Sequence, residues 1–282
     1  MKTTDFGNFP ETVHIDLAET HYGADYTRPN LQGFLIPGKR GRLLATFFSA
    51  GGPGLHPVIL IFHGIPGTER NLDLAHHLRR SGFHVMTFHY SGSWGSDGDY
   101  SIAHDLEDAE TVLDFVLNAK GLCIDHSRIY AVGHSLGGFV CGRLAAKRSE
   151  IRAGVLLMPC DIGRASKLKT EDPAAYQSLA DLLEDASHWL NGTSGEALLR
   201  EAEENESAFS LVAAADALAR IPLLCVTGTL DTDTPDEIDC APLRHAIAAA
   251  GGTQLKHLSF PTDHCFSDYR LTVAESIVDF LK

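Results

Sequence analysis

The sequence is short of basic charge. Its 23 Lys and Arg stand against 37 Asp and Glu, a formal charge of −14. Nucleic acid and anionic membrane surfaces would repel such a chain, so neither is an expected partner. No apolar run is long enough to span a bilayer, and the N-terminal stretch Met1-Lys-Thr-Thr-Asp-Phe-Gly-Asn-Phe-Pro10 has no apolar signal core. Cytoplasmic residence is the default expectation. The six cysteines (Cys123, Cys141, Cys160, Cys225, Cys240 and Cys265) contain no C-x-x-C pair. They are too sparse for a disulfide scaffold and are expected to be free, mostly buried thiols. Asn191-Gly-Thr193 and Asn205-Glu-Ser207 match the glycosylation pattern, which is read as coincidence where no export signal is seen. There is no internal repeat and no low-complexity segment. Histidines are plentiful, at 15, but His76-His77, His84 and His89 lack the company of a metal site, and no metal is expected.

What is present is ordinary globular composition, 44% hydrophobic over 282 residues, enough for one large α/β domain. Two strands, 31–36 and 43–48, flank a turn at Pro37–Arg42. The apolar run Val58-Ile-Leu-Ile-Phe62 has the length and β-branched content of a fully buried strand. Further strands are expected at 84–89, 128–132, 153–158, 221–227 and 254–260. Helical spacing marks 69–81, 102–119, 138–147, 237–250 and 267–281. Strands alternating with helices imply a mostly parallel, doubly wound sheet with the first hairpin at its edge. The rhythm breaks at 161–220, which is rich in Ala, Leu, Glu and Asp and reads as several helices. A connection that long suggests a helical cap (lid) inserted into a core of 1–160 and 221–282.

The chemistry is most legible at Gly133-His134-Ser135-Leu136-Gly137. This G-x-S-x-G pattern lies between a predicted strand and a predicted helix, where a tight turn exposes the serine hydroxyl and aims the first helix amides at it. A serine hydroxyl is a poor nucleophile at neutral pH and needs a base, with a third group to orient that base. The acid expected after a later strand is Asp231, in Gly228-Thr-Leu-Asp-Thr-Asp-Thr-Pro235. Asp233 is its close competitor, and the spacing Gly-x-x-Asp-x-x-x-Pro favours Asp231. The base expected after the last strand is His264, in Ser259-Phe-Pro-Thr-Asp-His-Cys-Phe266. His134 adjoins the nucleophile in sequence, but its side chain is expected to point away from the Ser135 hydroxyl. The oxyanion would be held by the backbone amides of Leu136 and of Ile65, in the loop His63-Gly-Ile-Pro-Gly67, since Pro66 has no N–H. Trp94, Tyr176 and Trp189 are candidates to face substrate, against the plainer reading that they pack the cap and anchor a loop.

This set, His63-Gly64, Gly133–Gly137, Asp231 and His264, resembles the α/β-hydrolase superfamily across nearly the whole chain. Two stretches, Phe88-His-Tyr-Ser-Gly-Ser-Trp-Gly-Ser-Asp-Gly-Asp99 and Thr262-Asp-His-Cys-Phe-Ser-Asp268, are similar to bacterial cinnamoyl and feruloyl esterases and to acylaminoacyl-peptidase-like hydrolases. The chain departs from the pattern at Ser91, where many relatives carry arginine. The resemblance implies an α/β-hydrolase fold with a mostly parallel twisted sheet of about eight strands, an inserted helical cap, and no cofactor. It also implies a serine esterase acting on small-molecule esters, of hydroxycinnamate type or otherwise. A peptidase or amidase on small substrates and a thioesterase are the alternatives, and a non-catalytic binding module is the reading from a different class. An elbow aspartate, the mark of dehalogenases and epoxide hydrolases, is replaced here by Ser135. A homodimer is compatible with the sequence, which contains nothing that sets oligomeric state.

Overall fold

A computed structural model describes residues 26–282; Met1–Pro10, read above for export features, lies outside the described residues. Eight strands form the main sheet: β1 (Asn30–Gly38), β2 (Gly41–Ser49), β3 (His56–Phe62), β4 (His84–Phe88), β5 (Ile124–His134), β6 (Ile151–Leu157), β7 (Leu223–Gly228) and β8 (Leu255–Phe260). Their spatial order is β8-β7-β6-β5-β3-β4-β2-β1. The β1–β2 hairpin is antiparallel and joins β4 antiparallel, while β4, β3, β5, β6, β7 and β8 run parallel. A separate two-residue pairing joins Tyr26–Thr27 to Gly52–Pro53.

The alternation of strand side chains divides the core. Val58, Leu60 and Phe62 of β3 face one layer, Ile59 and Ile61 the other. Helices α1 (Leu72–Arg80) and α11 (Arg270–Leu281) cover the second face. Against the first pack α2 (Ile102–Asn118), α3 (Leu136–Lys147) and α10 (Ala241–Ala249), with much of the helical insert. Each fully buried aliphatic or aromatic side chain contributes about 1.5–3 kcal/mol relative to exposure, so two such layers fix the sheet firmly. All six cysteines are unbridged; Cys225 and Cys240 meet in the core with their sulfurs 2.7 Å apart. Among the described residues no helix is long and apolar enough to cross a membrane.

The elements expected from sequence are present, with shifted ends. Strand β5 begins at Ile124 rather than 128. Its early residues, Asp125-His-Ser-Arg128, are polar, and the register with β3 slips between the pairs His56–Ile124 and Val58–Ile129. The helix expected at 237–250 is two pieces, α9 (Asp236–Asp239) and α10, because Pro242 enters at the first turn of α10 and cannot continue an earlier helix.

Between β6 and β7 lie α4 (Ala165–Glu171), α5 (Pro173–Ser187), α6 (Gly195–Glu204), α7 (Glu206–Phe209) and α8 (Ala215–Leu218). Asp172 caps α5 by accepting the Ala175 N–H at 3.0 Å, and Ser194 caps α6 through Ala197 N–H at 3.2 Å. Polar ties bind this insert to the rest. The Glu201 carboxylate of α6 accepts from Ser101 Oγ (2.6 Å), Ile102 N–H (3.1 Å) and Ala103 N–H (2.9 Å). It thereby fills the orphan donors at the positive end of α2. Asn191, one of the two glycosylation-like sites, spends its side-chain amide on Gly98 carbonyl (2.7 Å) and Asp99 (3.1 Å).

Where β5 turns into α3 the backbones pass so closely that a Cβ on Gly133 would strike the Gly137 carbonyl, and one on Gly137 the Phe62 carbonyl. Backbone cannot swing aside as a side chain can. Gly133→Ala is therefore expected to destabilise by about 1–3 kcal/mol or more, lowering Tm by roughly 5 °C or more. Gly33→Ala, on the exposed edge strand with nothing within 4 Å of an added Cβ, is expected to leave Tm within about 2 °C. Thermal unfolding of the two variants checks this; equal shifts would refute the crowding argument.

Candidate active site

Ser135 sits at the junction of β5 and α3 with φ 58° and ψ −126°, a conformation that costs a non-glycine residue on the order of 1–3 kcal/mol. Its backbone is fastened on both sides. Its N–H donates to Leu157 carbonyl at 2.9 Å, and its carbonyl accepts from Gly138 (2.8 Å) and Cys160 (3.1 Å). The loop after β3 presses against it: a Cβ on Gly64 would lie 2.8 Å from Ser135 Cβ and 3.2 Å from its Oγ. The residue is 9% exposed. Ile65 and Pro66 follow in that same loop, joined by a cis peptide bond.

Asp231 and His264 come together, as the chain order Ser–Asp–His anticipates. His264 Nδ1 lies 2.8 Å from Asp231 Oδ2. With the proton on Nδ1 donated to the carboxylate, Nε2 is left as the imidazole's free lone pair. Asp231 is pinned by the turn it begins: Oδ1 accepts from Asp233 N–H (2.9 Å) and Thr234 N–H (3.1 Å), and Thr234 Oγ1 lies 2.8 Å from Oδ2. Burial pushes this carboxyl's pKa upward, but the bond and charge of His264 and the Thr234 donors outweigh it and hold the value below the ordinary one. Asp233 is exposed; its backbone N–H bonds Asp231, and its carboxylate comes within 4.8 Å of the Asp231 carboxylate and the His264 ring without a hydrogen bond to either.

His134 does not face the Ser135 hydroxyl, as expected, but it is not idle. Its Nε2 lies 2.7 Å from the His264 carbonyl and its ring sits 4.8 Å from the His264 ring. Desolvation, helped by repulsion from His264, drives its pKa down to about 3, so it stays neutral and donates from Nε2. His63, also buried, is lowered to about 3 by desolvation and packs between His89 and Tyr90. Trp94 Nε1 donates to Pro66 carbonyl at 2.5 Å, and its indole stacks on Trp189 with centroids 5.9 Å apart. Two of the aromatic candidates thus meet beside the loop after β3. Tyr176 is elsewhere: its hydroxyl donates to Glu203 at 2.7 Å and Lys169 lies over its ring, all within the insert.

Over residues 57–200, just over half of the chain, the sequence matches the family described as alpha/beta hydrolase fold. The protein belongs to that family. Structural likeness agrees. Est1E from Butyrivibrio proteoclasticus superposes with a TM-score of 0.65 at 22% identity, over 88% of this chain and 97% of that one. An esterase of Pyrococcus furiosus gives 0.66 at 14% identity, over 90% of each chain. Among curated proteins, the lysophosphatidylserine lipase ABHD12 of Gallus gallus is 36% identical over 98 residues, 34% of this chain and 25% of the lipase. A multifunctional-autoprocessing repeats-in-toxin protein of Vibrio cholerae is 28% identical over 45% of this chain and 3% of its own length. The chain therefore matches only a quarter or less of these curated relatives.

Within the α/β-hydrolase frame, sequence reasoning missed Thr234 and the brace from His134. The first was signalled by Asp-x-x-Thr before a proline, a pattern in which an aspartate caps the turn it opens. The second had no local signal, because residues 134 and 264 meet only in three dimensions.

The neutral state of His134 has a measurable consequence. An unfolded histidine titrates near 6.5, whereas folded His134 resists protonation to about 3. The stability it carries is present above the unfolded value and is lost as pH falls toward the folded one, at about 1.4 kcal/mol per unit. Buried carboxyls such as Asp239, raised to about 7, act with the opposite sign, so the test is a difference. His134→Gln, which keeps an amide donor, is expected to gain about 2 kcal/mol on wild type between pH 6.5 and 5 in urea unfolding. Parallel profiles would mean that His134 takes up its proton in the folded state.

Proposed function

We propose that the protein is a serine hydrolase that cleaves carboxylic esters through an acyl-enzyme on Ser135. The observation that carries this reading is the contact of half-buried His264 with buried Asp231, 2.8 Å apart, on the loops that follow β7 and β8, with Ser135 held in a strained turn at the end of β5. His264 Nε2 takes the hydroxyl proton as Ser135 Oγ bonds to the substrate carbonyl carbon. The carbonyl oxygen becomes an oxyanion, which the amides of Leu136 and Ile65 stabilise by a few kcal/mol each. His264 then returns its proton to the leaving alkoxide as the C–O bond breaks. A water deprotonated by the same nitrogen attacks the acyl-enzyme, and Ser135 departs with that proton. Asp231, held below its ordinary pKa, stays ionised and stabilises the imidazolium in both halves.

In this reading the helical insert at 161–220 acts as a cap, and the Trp94–Trp189 stack borders the entrance beside the oxyanion loop. No cofactor takes part in these steps. Esters are put before amides on coverage: Est1E, also determined with ferulic acid bound, and an esterase of Pyrococcus furiosus superpose over 90% or more of their own lengths, although at 22% and 14% identity these likenesses, too, concern fold. The dipeptidyl aminopeptidase IV-like protein of Bacteroides ovatus has a TM-score of 0.68, but this chain spans 36% of it, and at 15% identity the likeness concerns fold alone.

A fluorophosphonate probe is expected to label Ser135 stoichiometrically, and Ser135→Ala to abolish labelling. Asp231→Asn should lower kcat by about 10³–10⁴, whereas Asp233→Asn should change it less than about threefold. A larger loss at Asp233 would reassign the acid. A panel of p-nitrophenyl esters, hydroxycinnamate esters, acyl-CoA and aminoacyl amides reports the substrate class, and a clear preference for amides would overturn the ester reading.

A further inference from the structure

The loop after β7, helix α9 and the first helices of the insert enclose a cavity of about 220 Å³. Apolar side chains such as Leu179, Leu182 and Ile238 form much of its wall, and its charged lining is wholly acidic: Asp161, Asp233 and Asp239. It adjoins the proposed machinery. An Asp233 carboxylate oxygen lies within 4.8 Å of a His264 ring nitrogen, and Cys160, in the wall, bonds the Ser135 carbonyl through its backbone N–H.

The three carboxyls are not equivalent. Asp233 is exposed. Asp161 is buried but occupied, since its oxygens accept from Leu211 N–H at 2.9 Å and Ser210 Oγ at 3.3 Å. Asp239 is 8% exposed; its Oδ1 accepts the Asp161 N–H at 3.0 Å, and its Oδ2 makes no hydrogen bond among the described residues. The charges around it are Asp161 and Asp231, which oppose its ionisation, and Arg164, which favours it. Arg164 does not line the cavity. Asp239 is therefore a largely buried carboxyl with one oxygen left open to a donor from outside the protein, beside apolar side chains that hold off most of the water.

We propose that this cavity is a subsite for an alkylammonium group of the substrate, with Asp239 Oδ2 taking the ammonium and Leu179, Leu182 and Ile238 its carbon chain. The inference rests on the hydrolase reading and narrows its substrate class to esters that carry an amine a few carbons from the scissile carbonyl. An ammonium and a hydroxyl can both donate to the carboxylate, but only the ammonium adds the attraction of opposite charges, which is stronger in a partly desolvated site than in water. The volume is below the roughly 300–1,000 Å³ of pockets that take drug-sized ligands, so it suits a short chain and not an aromatic acid with its substituents.

The test is competitive inhibition of p-nitrophenyl acetate hydrolysis by n-pentylammonium, 1-pentanol and pentanoate. At pH 8 the ammonium is expected to have a Ki at least about tenfold below that of the alcohol, with the carboxylate weakest. Burial has raised Asp239 to about 7, so it is ionised at pH 8, and the ammonium's advantage should shrink as pH falls through that value. Asp239→Asn, which still accepts the Asp161 N–H, should erase the advantage while leaving turnover of p-nitrophenyl acetate within about threefold. Leu179→Trp, filling the cavity, should weaken all three ligands and the ammonium most. Equal Ki values in the wild type, or a preference that survives Asp239→Asn, would overturn the proposal. Should p-nitrophenyl acetate not be turned over, the hydrolase reading fails, and calorimetric titration with the same three ligands still decides whether the cavity selects the ammonium.

Discussion

The strained turn at Ser135 is the constraint on which the rest of the structure depends. An L-residue holds φ 58° there only because its neighbours leave it no alternative. Leu157, Gly138 and Cys160 fasten its backbone, and Gly64 closes against its side chain. These contacts tie β5 to β6, to α3 and to the loop after β3, so a change in any of them displaces the hydroxyl. The glycines at 133 and 137 serve this turn by removing Cβ atoms from places where backbone already lies. Two core layers and a parallel sheet supply the energy that a local strain of a few kcal/mol consumes.

Around that turn the structure separates charges by environment. Asp231 is buried yet supplied with donors from Thr234, Asp233 and His264, and the ionised form wins. His134, a few ångströms away, is buried with a single acceptor, the carbonyl of His264, and the neutral form wins. The difference lies in the number and sign of partners rather than in burial, which both share. A neutral His134 also suits its neighbour, because a second cation beside His264 would oppose the imidazolium of the proposed mechanism.

Sequence patterns carried much of this. The buried run at 58–62, the elbow, and an aspartate and a histidine each just past a strand were legible because strand ends and turns have local signatures. The Asp231–His264 contact was inferable from order along the chain and needed no distance. Other features had no such signature. The polar start of β5 was hidden because Asp125 to Arg128 do not look like strand residues. The break at Cys240 was masked by a helical pattern on both sides of Pro242. The helices of the insert could be named as helices, but not the face each presents: Tyr176 and Trp189 look alike as exposed-aromatic candidates, yet one bonds Glu203 within the insert and the other stacks on Trp94 of the core. Contacts between distant segments are set by packing and leave little trace at either end.

The departure at Ser91 shows how the insert and the site are joined. An arginine at this position would bring a guanidinium toward the buried carboxyls of α2. Here Asp108 Oδ2 accepts the Ser91 N–H at 2.6 Å and Asp105 Oδ2 the Tyr100 hydroxyl at 2.7 Å, with Arg40 and His104 adding weaker attraction at Asp108. Among the described residues the other oxygen of each aspartate has no hydrogen-bond partner, and burial raises both pKa values, favouring the protonated forms. The loop after β4 is therefore not clamped by an ion pair from residue 91. It is held by the core, where Arg42 donates to Asp97 from its backbone N–H (2.9 Å) and its Nε (2.8 Å), and by the insert, where Asn191 N–H donates to Gly92 carbonyl at 2.8 Å and Tyr100 N–H to Asn191 carbonyl at 2.9 Å. That loop carries Trp94, whose indole reaches the Pro66 carbonyl next to Ile65. The insert is thus hydrogen-bonded to the loop that carries Trp94, and Trp94 to the carbonyl that follows Ile65, so the proposed cap and the proposed oxyanion donor are joined through a short chain of hydrogen bonds.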